Sequence, residues 1–317
     1  MTALQTDSPV DASSSATVAS LGTQPSILIV TPAKDEAEYI QTTIDAMVAQ
    51  TVRPTRWIIV DDRSTDGMGE IADAAAAAHD WISVIHRQGD AVRRVGPGVI
   101  HAFYEGLESV DHTEFDFVCK LDADLDIPPA YFEDILAKFA AEPRLGTLSG
   151  KCHVPVGDGE LVLERTGDEF SHGVAKMFRR ECFDQIGGFV REVMWDGIDC
   201  HRCRMLGWEA RSDDDENLRL VHLRLMGSSF RSVYHGRLRW GRGQYFMGTH
   251  PLYLLGIAAY RTFERPRGLG GLCILAGYVG QWLKRADRYD APGFRRHLRT
   301  WQMAELRTRL KRLIGLG

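Results

Sequence analysis

The stretch that decides the fold is Phe115-Asp116-Phe117-Val118-Cys119-Lys120-Leu121-Asp122-Ala123-Asp124. Its mostly apolar first part predicts a buried strand, and two carboxylates, Asp122 and Asp124, follow directly. In open parallel sheets, ligands bind just outside the carboxyl ends of the strands. Two carboxylates at that edge suit a hard divalent cation that also holds a diphosphate. The alternative is that Asp122 caps a turn and Asp124 is solvated, and an isolated Asp-x-Asp pattern favours this alternative.

The composition is that of an ordinary globular protein. The 317 residues are 44% hydrophobic and 26% charged, which suits one large domain or two smaller ones. The net charge of -5 gives no indication of nucleic-acid binding. Residues 219–312 are nevertheless rich in Arg and Trp, which predicts a basic C-terminal face and a negatively charged partner, such as a phosphate-bearing lipid or a membrane surface.

The cysteines and the N-terminus both favour a cytoplasmic protein. The six cysteines are scattered and no secretory signal precedes them, so a reducing compartment is favoured over a disulfide framework. Cys200-His201-Arg202-Cys203 looks like half of a zinc site, but no second pair lies at a suitable spacing. Residues 1–25 lack the basic and apolar regions of a targeting sequence, and their composition predicts a disordered tail.

Three further apolar runs, at residues 26–30, 57–60 and 81–85, precede the opening stretch. Segments with helical spacing separate these runs, including an Ala-rich one at about 67–79. Strands that alternate with helices in this way predict parallel βαβ units, and hence an α/β fold with a doubly wound, mostly parallel sheet. The carboxyl edge of that sheet then gathers Pro32, Asp35, Glu36, Asp61, Asp62, Asp122 and Asp124.

The middle of the chain continues the alternation. The pattern predicts a helix over 129–141, a strand over 145–154 and a helix over 199–206 that Gly207 closes. The acidic run at 213–216 is interpreted as a solvated loop.

The C-terminal part contains two strongly apolar stretches, at 252–260 and 269–283. Both are shorter than the ~20 residues that a membrane-spanning helix needs. They are either core helices of a C-terminal subdomain, which is the simpler interpretation, or interfacial helices on a bilayer. Basic residues follow the second apolar stretch, namely Lys284, Arg285, Arg288, Arg295 and Arg296. They support peripheral membrane contact through residues 251–296.

Six motifs in a common order resemble the family 2 glycosyltransferases of the GT-A fold. They are Val30-Thr31-Pro32-Ala33-Lys34-Asp35-Glu36, Val60-Asp61-Asp62-Arg63-Ser64-Thr65-Asp66-Gly67, Arg94-Val95-Gly96-Pro97-Gly98, Asp122-Ala123-Asp124, Ile186-Gly187-Gly188-Phe189, and Trp195-Asp196 with Arg202 and Gly207-Trp208. Each motif alone is short, whereas their order is specific. The resemblance covers about residues 26–225 and implies a nucleotide-sugar half, 26–126, and an acceptor half, 127–225. A helical C-terminal region, 226–317, lies outside the family pattern.

The resemblance implies inverting transfer from a UDP- or GDP-sugar to a hydroxyl of a glycan or lipid-linked acceptor. It implies that Asp196 is the general base, and that Asp122 and Asp124 hold Mn²⁺ or Mg²⁺. His222 is a further candidate ligand, although a lone histidine is more often structural. The donor-binding residues that the resemblance implies are Pro32, Ala33, Glu36, Asp62, Arg94, Gly96, Asp122, Ala123 and Asp124.

The chain departs from the family pattern at three positions. The family usually has Asn where Asp35 stands and an aromatic residue where Lys34 stands, which weakens the expectation of base or ribose contacts there. The family's Glu before the catalytic Asp is replaced by Trp195. The indole could pack on a sugar or lipid ring, or equally in the core.

Two other functions stay open at this point. A sugar-phosphate nucleotidyltransferase also binds a nucleotide on a doubly wound sheet, but it normally has a glycine-rich loop where this chain has Thr31-Pro32-Ala33-Lys34. A non-catalytic nucleotide-binding protein at a membrane surface is the third hypothesis, and it requires Asp196 to be dispensable.

Overall fold

Alternating apolar runs and helical segments fold as the sequence predicts. The computed structural model describes residues 24–89, 97–156, 159–164, 167–224, 233–263 and 268–313. The predicted tail at 1–25 lies outside these ranges except for its last two residues. The strands are β1 Ile27–Ala33, β2 Arg56–Asp61, β3 Ile82–His86, β4 Phe117–Leu121, β5 Leu125–Asp126, β6 Leu145–Val156, β7 Glu160–Leu163, β8 Ala175–Arg179, β9 Glu209–Asp213 and β10 Arg219–His222.

Helices occupy most of the connections between strands and the whole C-terminal part of the described chain. They are α1 Ile40–Val48, α2 Met68–Ala78, α3 Pro97–Glu108, α4 Tyr131–Ala141, α5 Arg180–Gln185, α6 Trp195–Met205, α7 Val233–Met247, α8 Pro251–Phe263, α9 Leu269–Leu283 and α10 Phe294–Leu313. None of the described helices is both long enough and apolar enough to cross a bilayer.

The described strands form one sheet in the order β3-β2-β1-β4-β8-β6-β10-β5, and β7 and β9 also pair with β6. Strands β3, β2, β1 and β4 are parallel, and β8 runs antiparallel between β4 and β6. The long β6 pairs with β8 and β9 along its first half, and with β10 and β7 along its second half. The predicted α/β class with a mostly parallel sheet is confirmed.

Helices cover both faces of this sheet. Strand β1 is apolar at every position except Thr31, and its successive side chains point to opposite faces, so both faces need a cover. Ile27 and Ile29 pack in one core with α1, α2 and α4. Leu28 and Val30 pack in a second core with α3, α5 and α6. This double winding leaves the strand ends, rather than the faces of the sheet, open to ligands.

Two local predictions are wrong. Helix α6 begins at Trp195 rather than at residue 199, because Lys176 Nζ donates to the Asp196 carbonyl at 2.9 Å and supports a first turn that Gly197 disfavours. The acidic run is not a purely solvated loop. Asp213 ends β9 and pairs with Lys138 at 2.8 Å, a contact that sequence spacing does not indicate.

Glycines let the C-terminal helices α7 and α9 touch through their backbones. A Cβ added at Gly241 would lie 2.0 Å from the Ile274 carbonyl oxygen, and one at Gly277 would lie 2.2 Å from the Leu238 carbonyl oxygen. No side chain fits at such distances, so this packing requires glycine at both positions.

The same bundle is attached to α6. A Cβ at Gly243 on α7 would lie 2.5 Å from the Met194 side chain, immediately before α6. Ile198 on α6 packs in a buried cluster with Met247 on α7 and with Phe294 on α10. The C-terminal helices therefore rest directly on the segment that carries Asp196.

Gly277→Ala should lower the free energy of unfolding by about 1–3 kcal/mol, because the new methyl group meets a backbone oxygen that cannot rotate away. Gly280→Ala is the matched control on the same helix, since nothing lies within 4 Å of its added Cβ. The control should be neutral or stabilising by up to about 1 kcal/mol. Urea unfolding of both variants measures the difference, and equal stabilities would contradict the close approach.

Candidate active site

The loops that follow β1, β2 and β4 leave the sheet at adjacent points. Val30 aligns with Ile58 on β2 and with Lys120 on β4, and all three strands are parallel. Their carboxyl ends therefore share one edge. The candidate donor residues on or beside these three loops are Pro32, Ala33, Glu36, Asp62, Asp122, Ala123 and Asp124.

Neighbouring segments hold the Asp122-Ala123-Asp124 turn in place. The Thr43 hydroxyl on α1 donates to the Ala123 carbonyl at 2.9 Å. The Asp122 amide donates to the Val174 carbonyl at 2.7 Å, and the Leu223 amide donates to the Asp124 carbonyl at 3.0 Å. The backbone of the turn is thus fixed before any ligand binds, which is how preorganised sites are built.

The Asp124 carboxylate lies between two cationic side chains. His222 Nε2 is 3.3 Å and Arg224 Nε is 2.6 Å from Asp124 Oδ2. Burial opposes ionisation of Asp124, but the hydrogen bond and charge of His222 and the charge of Arg224 outweigh it and lower the pKa of the carboxyl. Burial likewise opposes protonation of His222, yet the neighbouring carboxylates of Asp124 and Glu164 raise its pKa to about 9.

Arg224 joins this cluster to the loop after β1. Its guanidinium pairs with Glu36 as well as with Asp124, and it lies 5.8 Å from the centre of the Tyr39 ring. Glu36 is buried, and its ion pair with Arg224 neutralises the Glu36 carboxylate next to the Asp122-Ala123-Asp124 turn. Arg224 is not among the predicted site residues. Its position two residues after His222 nevertheless indicates that, in an extended chain, both side chains point to the same face.

The two aspartates after β2 differ in their surroundings. Asp61 ends the strand, since its Oδ1 accepts from the Ser64 amide at 2.8 Å and its Oδ2 lies 3.0 Å from His86 Nδ1. Asp62 Oδ1 accepts from Arg87 at 2.8 Å and also pairs with Arg63. Two arginines thus neutralise the charge of the Asp62 carboxylate at this edge of the sheet.

Lys120 connects the carboxylate turn to the opposite side of the site. Its buried ammonium pairs with Asp122 and donates to the Gly173 carbonyl at 2.7 Å. A Cβ added at Gly173 would lie 3.5 Å from the Cβ of Asp196. A lysine inside a strand that is predicted to be buried indicates from the sequence alone that its ammonium group is paired, because buried lysines need partners.

Asp196 lies in the first turn of α6, above a buried ion pair. Lys176 Nζ donates to the Asp196 carbonyl at 2.9 Å and to the two Asp199 oxygens at 2.8 and 2.7 Å. Burial disfavours the charged Lys176, but the neighbouring Asp199 charge raises the pKa of its ammonium above the ordinary value. Sequence patterns do not indicate this pair, because Lys176 lies in a strand and Asp199 in a helix 23 residues later.

Trp195 packs in the core, which decides between the two expectations for its ring. It is buried against Phe189, with ring centres 4.8 Å apart. The ammonium groups of Lys120 and Lys176 lie 5.5 and 5.6 Å from its centre. The indole therefore takes part in two cation–π contacts beneath the site.

Backbone strain is concentrated around the same edge. Among the described residues, the non-glycine positions with positive φ are Asp35 at 53°, Arg63 at 61°, Met194 at 71° and Arg285 at 51°. Asp35 follows β1, Arg63 follows β2 and Met194 precedes Asp196. Strain of this kind persists only where the surroundings fix the backbone, and it is frequent at functional sites.

The carboxylate oxygens of Asp122 and Asp124 are of the ligand type that suits Mn²⁺ or Mg²⁺. His222 can be a ligand only after it loses the proton that Asp124 and Glu164 favour. Metal binding by these three residues stays a prediction. Cys152, Glu164 and His222 have ligand atoms within 4.8 Å of one another. Among the described residues this group includes neither Asp122 nor Asp124, and the Asp124 carboxylate is paired with the Arg224 guanidinium.

The remaining predicted site residues divide into two groups. Arg94 and Gly96 lie outside the described residues, so their predicted contacts stay predictions. The half zinc site is not completed in the described part of the chain. Cys200 and Cys203 belong to no group of three candidate metal ligands there, and Cys203 Sγ lies 3.5 Å from Cys182 Sγ.

Comparison with solved structures shows the same fold. The mannosyltransferase PcManGT from Pyrobaculum calidifontis, in complex with GDP-Man and Mn²⁺, gives a TM-score of 0.55 at 18% identity, over 83% of this chain and 88% of that chain. TarS 1-349 from S. aureus in complex with UDP gives a TM-score of 0.51 at 14% identity, over 82% and 72%. Its complex with UDP-GlcNAc gives 0.50 at 14% identity, over 82% and 73%.

Comparison at the level of sequence shows the family. A family model described as glycosyl transferase family 2 matches residues 28–187 of the 317. The matched segment runs from β1 past β8 and includes the Asp122-Ala123-Asp124 turn. A search of curated protein sequences gave no match. The chain therefore belongs to glycosyl transferase family 2.

Proposed function

We propose that this protein transfers a sugar from a nucleoside-diphosphate sugar to a hydroxyl acceptor, with inversion at the anomeric carbon. Membership of the family supports the transfer reaction. The GDP-Man bound to the mannosyltransferase and the UDP-GlcNAc bound to TarS support a GDP- or UDP-sugar as the donor.

The observation that carries the proposal is the short connection between the carboxylate turn and Asp196. The Lys120 ammonium contacts Asp122 on one side and the Gly173 carbonyl on the other, and Gly173 adjoins Asp196. A group that binds the donor and a group that activates the acceptor must lie this close, because the reacting atoms have to meet.

Asp196 takes the proton from the acceptor hydroxyl as that oxygen attacks the donor sugar. Its side chain is half-buried, and none of the described residues donates a hydrogen bond to its carboxylate. Lys176 orients the residue through its backbone carbonyl rather than through its carboxylate.

On the donor side, Asp122 and Asp124 with His222 would hold Mn²⁺ or Mg²⁺, which would supply positive charge to the leaving nucleoside diphosphate. The Mn²⁺ in the mannosyltransferase structure supports this assignment. The residues that frame the nucleoside and the diphosphate in this proposal are Pro32, Ala33, Glu36, Asp62, Arg94, Gly96 and Ala123.

The proposed acceptor is a glycan or a lipid-linked precursor. A cytoplasmic location, peripheral at the inner face of the cell membrane, completes the proposal. All six cysteines are free thiols, which supports a reducing compartment. The apolar and basic character of residues 251–296 supports the membrane contact.

We expect the purified protein to release nucleoside diphosphate from one of a panel of UDP- and GDP-sugars when Mn²⁺ or Mg²⁺ and a lipid-linked or glycan acceptor are supplied. The donor should also raise the melting temperature, because it binds only the folded state. Absence of both turnover and a thermal shift for every donor would contradict the glycosyltransferase proposal.

Asp196→Asn and Asp124→Asn should fail at different steps. Asp196→Asn removes the base, so transfer should fall by about 10²–10⁴-fold while the donor-induced thermal shift is kept. Asp124→Asn should weaken Mn²⁺-dependent donor binding by at least about tenfold, because a charged ligand is lost.

Matched controls for these two variants are Glu192→Gln and Asp126→Asn, which change exposed carboxylates close to each position in the chain. Neither should alter transfer by more than about twofold. Near-normal transfer by Asp196→Asn would show that another group is the base.

Lys176→Met should destabilise the protein by about 3–5 kcal/mol, because it leaves the buried Asp199 carboxylate without its partner. The double variant Lys176→Met/Asp199→Leu removes both charges and should recover most of that stability. It should not recover transfer, since the Asp196 carbonyl still lacks its ammonium donor. Urea unfolding and nucleoside diphosphate release separate the two effects, and a stable double variant with full activity would exclude a positioning role.

A further inference from the structure

Helix α9 exposes an apolar stripe along its whole length. The exposed positions 269, 272, 276, 279 and 283 recur at intervals of three and four residues, which is one face of a helix. Leu272 is 59% exposed and Leu283 is 68% exposed. Residues 269–283 contain no charged side chain, whereas the outer face of a helix in water is normally polar.

Helix α8 shows a similar face beside α9. Leu252 and Leu255 are 54% and 52% exposed, and Tyr260 is 50% exposed. Residues 251–260 also contain no charged side chain. Helices α8 and α9 pack on each other where Gly271 meets the Ala258 carbonyl, and exposed apolar faces on adjoining helices mark interaction sites.

The fold does not need these outer faces. The inner side of α9 is filled already, because Gly271 packs on the Ala258 carbonyl of α8 and Gly277 packs on the Leu238 carbonyl of α7. Ile274 is fully buried on the same side. Each helix therefore packs with one face, as the core interpretation predicts, and exposes an apolar outer face, for which the membrane interpretation stays a prediction.

Aromatic and basic side chains border this surface. Trp282 is 58% exposed, and Lys284 and Arg285 directly after it are exposed too. At the end of α8 the Arg261 guanidinium lies 5.8 Å from the Tyr260 ring centre. Apolar faces with Trp or Tyr and Lys or Arg at their margins are typical of helices that lie in a membrane interface.

We propose that the outer faces of α8 and α9 dock on the surface of an anionic phospholipid bilayer, an inference that rests on the membrane contact proposed above and names its docking face and its lipid. The apolar stripes enter the boundary between headgroups and acyl chains, and the cations at their ends contact lipid phosphates. Charge favours a membrane as the occupant. After α9 the three cations Lys284, Arg285 and Arg288 outnumber Asp287 and Asp290, and an anionic leaflet complements this net positive charge.

The test uses the full chain and sedimentation with vesicles of phosphatidylcholine alone or mixed with phosphatidylglycerol. We expect at least about tenfold stronger binding to the anionic vesicles, decreasing with salt. Leu272→Ser/Leu283→Ser should lower binding to them at least about fivefold. Lys284→Glu/Arg285→Glu should lower it similarly and remove most of the salt dependence.

The control Val48→Ser/Leu206→Ser removes exposed apolar side chains that lie outside α8 and α9, and its binding should match the wild type. Trp282 gives an independent readout. Its fluorescence should shift to the blue with anionic vesicles, and Trp282→Phe should lose that shift.

Failure of the wild type to bind anionic vesicles would overturn the proposal, and so would unchanged binding by both α9 double variants. A dimer that forms without vesicles and is abolished by Leu272→Ser/Leu283→Ser would assign the face to a second copy instead. Vesicle binding does not depend on turnover, so this result is separate from the test of sugar transfer.

Discussion

Two buried ammonium groups on either side of one indole hold the candidate site together. A charged side chain inside a protein is tolerated only while its partners stay in place, because an unpaired buried charge is strongly destabilising. Lys120 keeps Asp122 beside the Trp195 ring, and Lys176 keeps the backbone of Asp196 beside the same ring. Breaking either set of contacts would lower the free energy of unfolding. The two lysines therefore fix the distance between the donor edge and the candidate base Asp196.

The same arrangement gives a physical reason for the departure from the family pattern at Trp195. A carboxylate at this position would lie next to both ammonium groups and could neutralise them. Here the indole offers only its π face, and the neutralising charges come from Asp122 and from Asp199.

Most of the fold could be predicted from the sequence because its signals are local. Buried parallel strands are continuous apolar runs, and their polar ends fall at one edge for topological reasons, as with Asp62 and Asp122. The early start of α6 and the cluster around Arg224 could not be predicted in this way. Both depend on contacts between distant segments, such as Lys176 with the Asp196 carbonyl and Arg224 with Glu36.

The glycine contacts in the C-terminal bundle have a geometric consequence. Where backbones touch, as at Gly241 and Gly277, no layer of side chains can rearrange to absorb a displacement. Helix α7 is in turn seated on Met194 through Gly243. The outer face of α9 and the carboxylate of Asp196 are thereby held at a constant separation. If α9 docks on a bilayer and Asp196 is the base, as proposed above, this separation sets how far an acceptor hydroxyl must project from the membrane surface to be deprotonated.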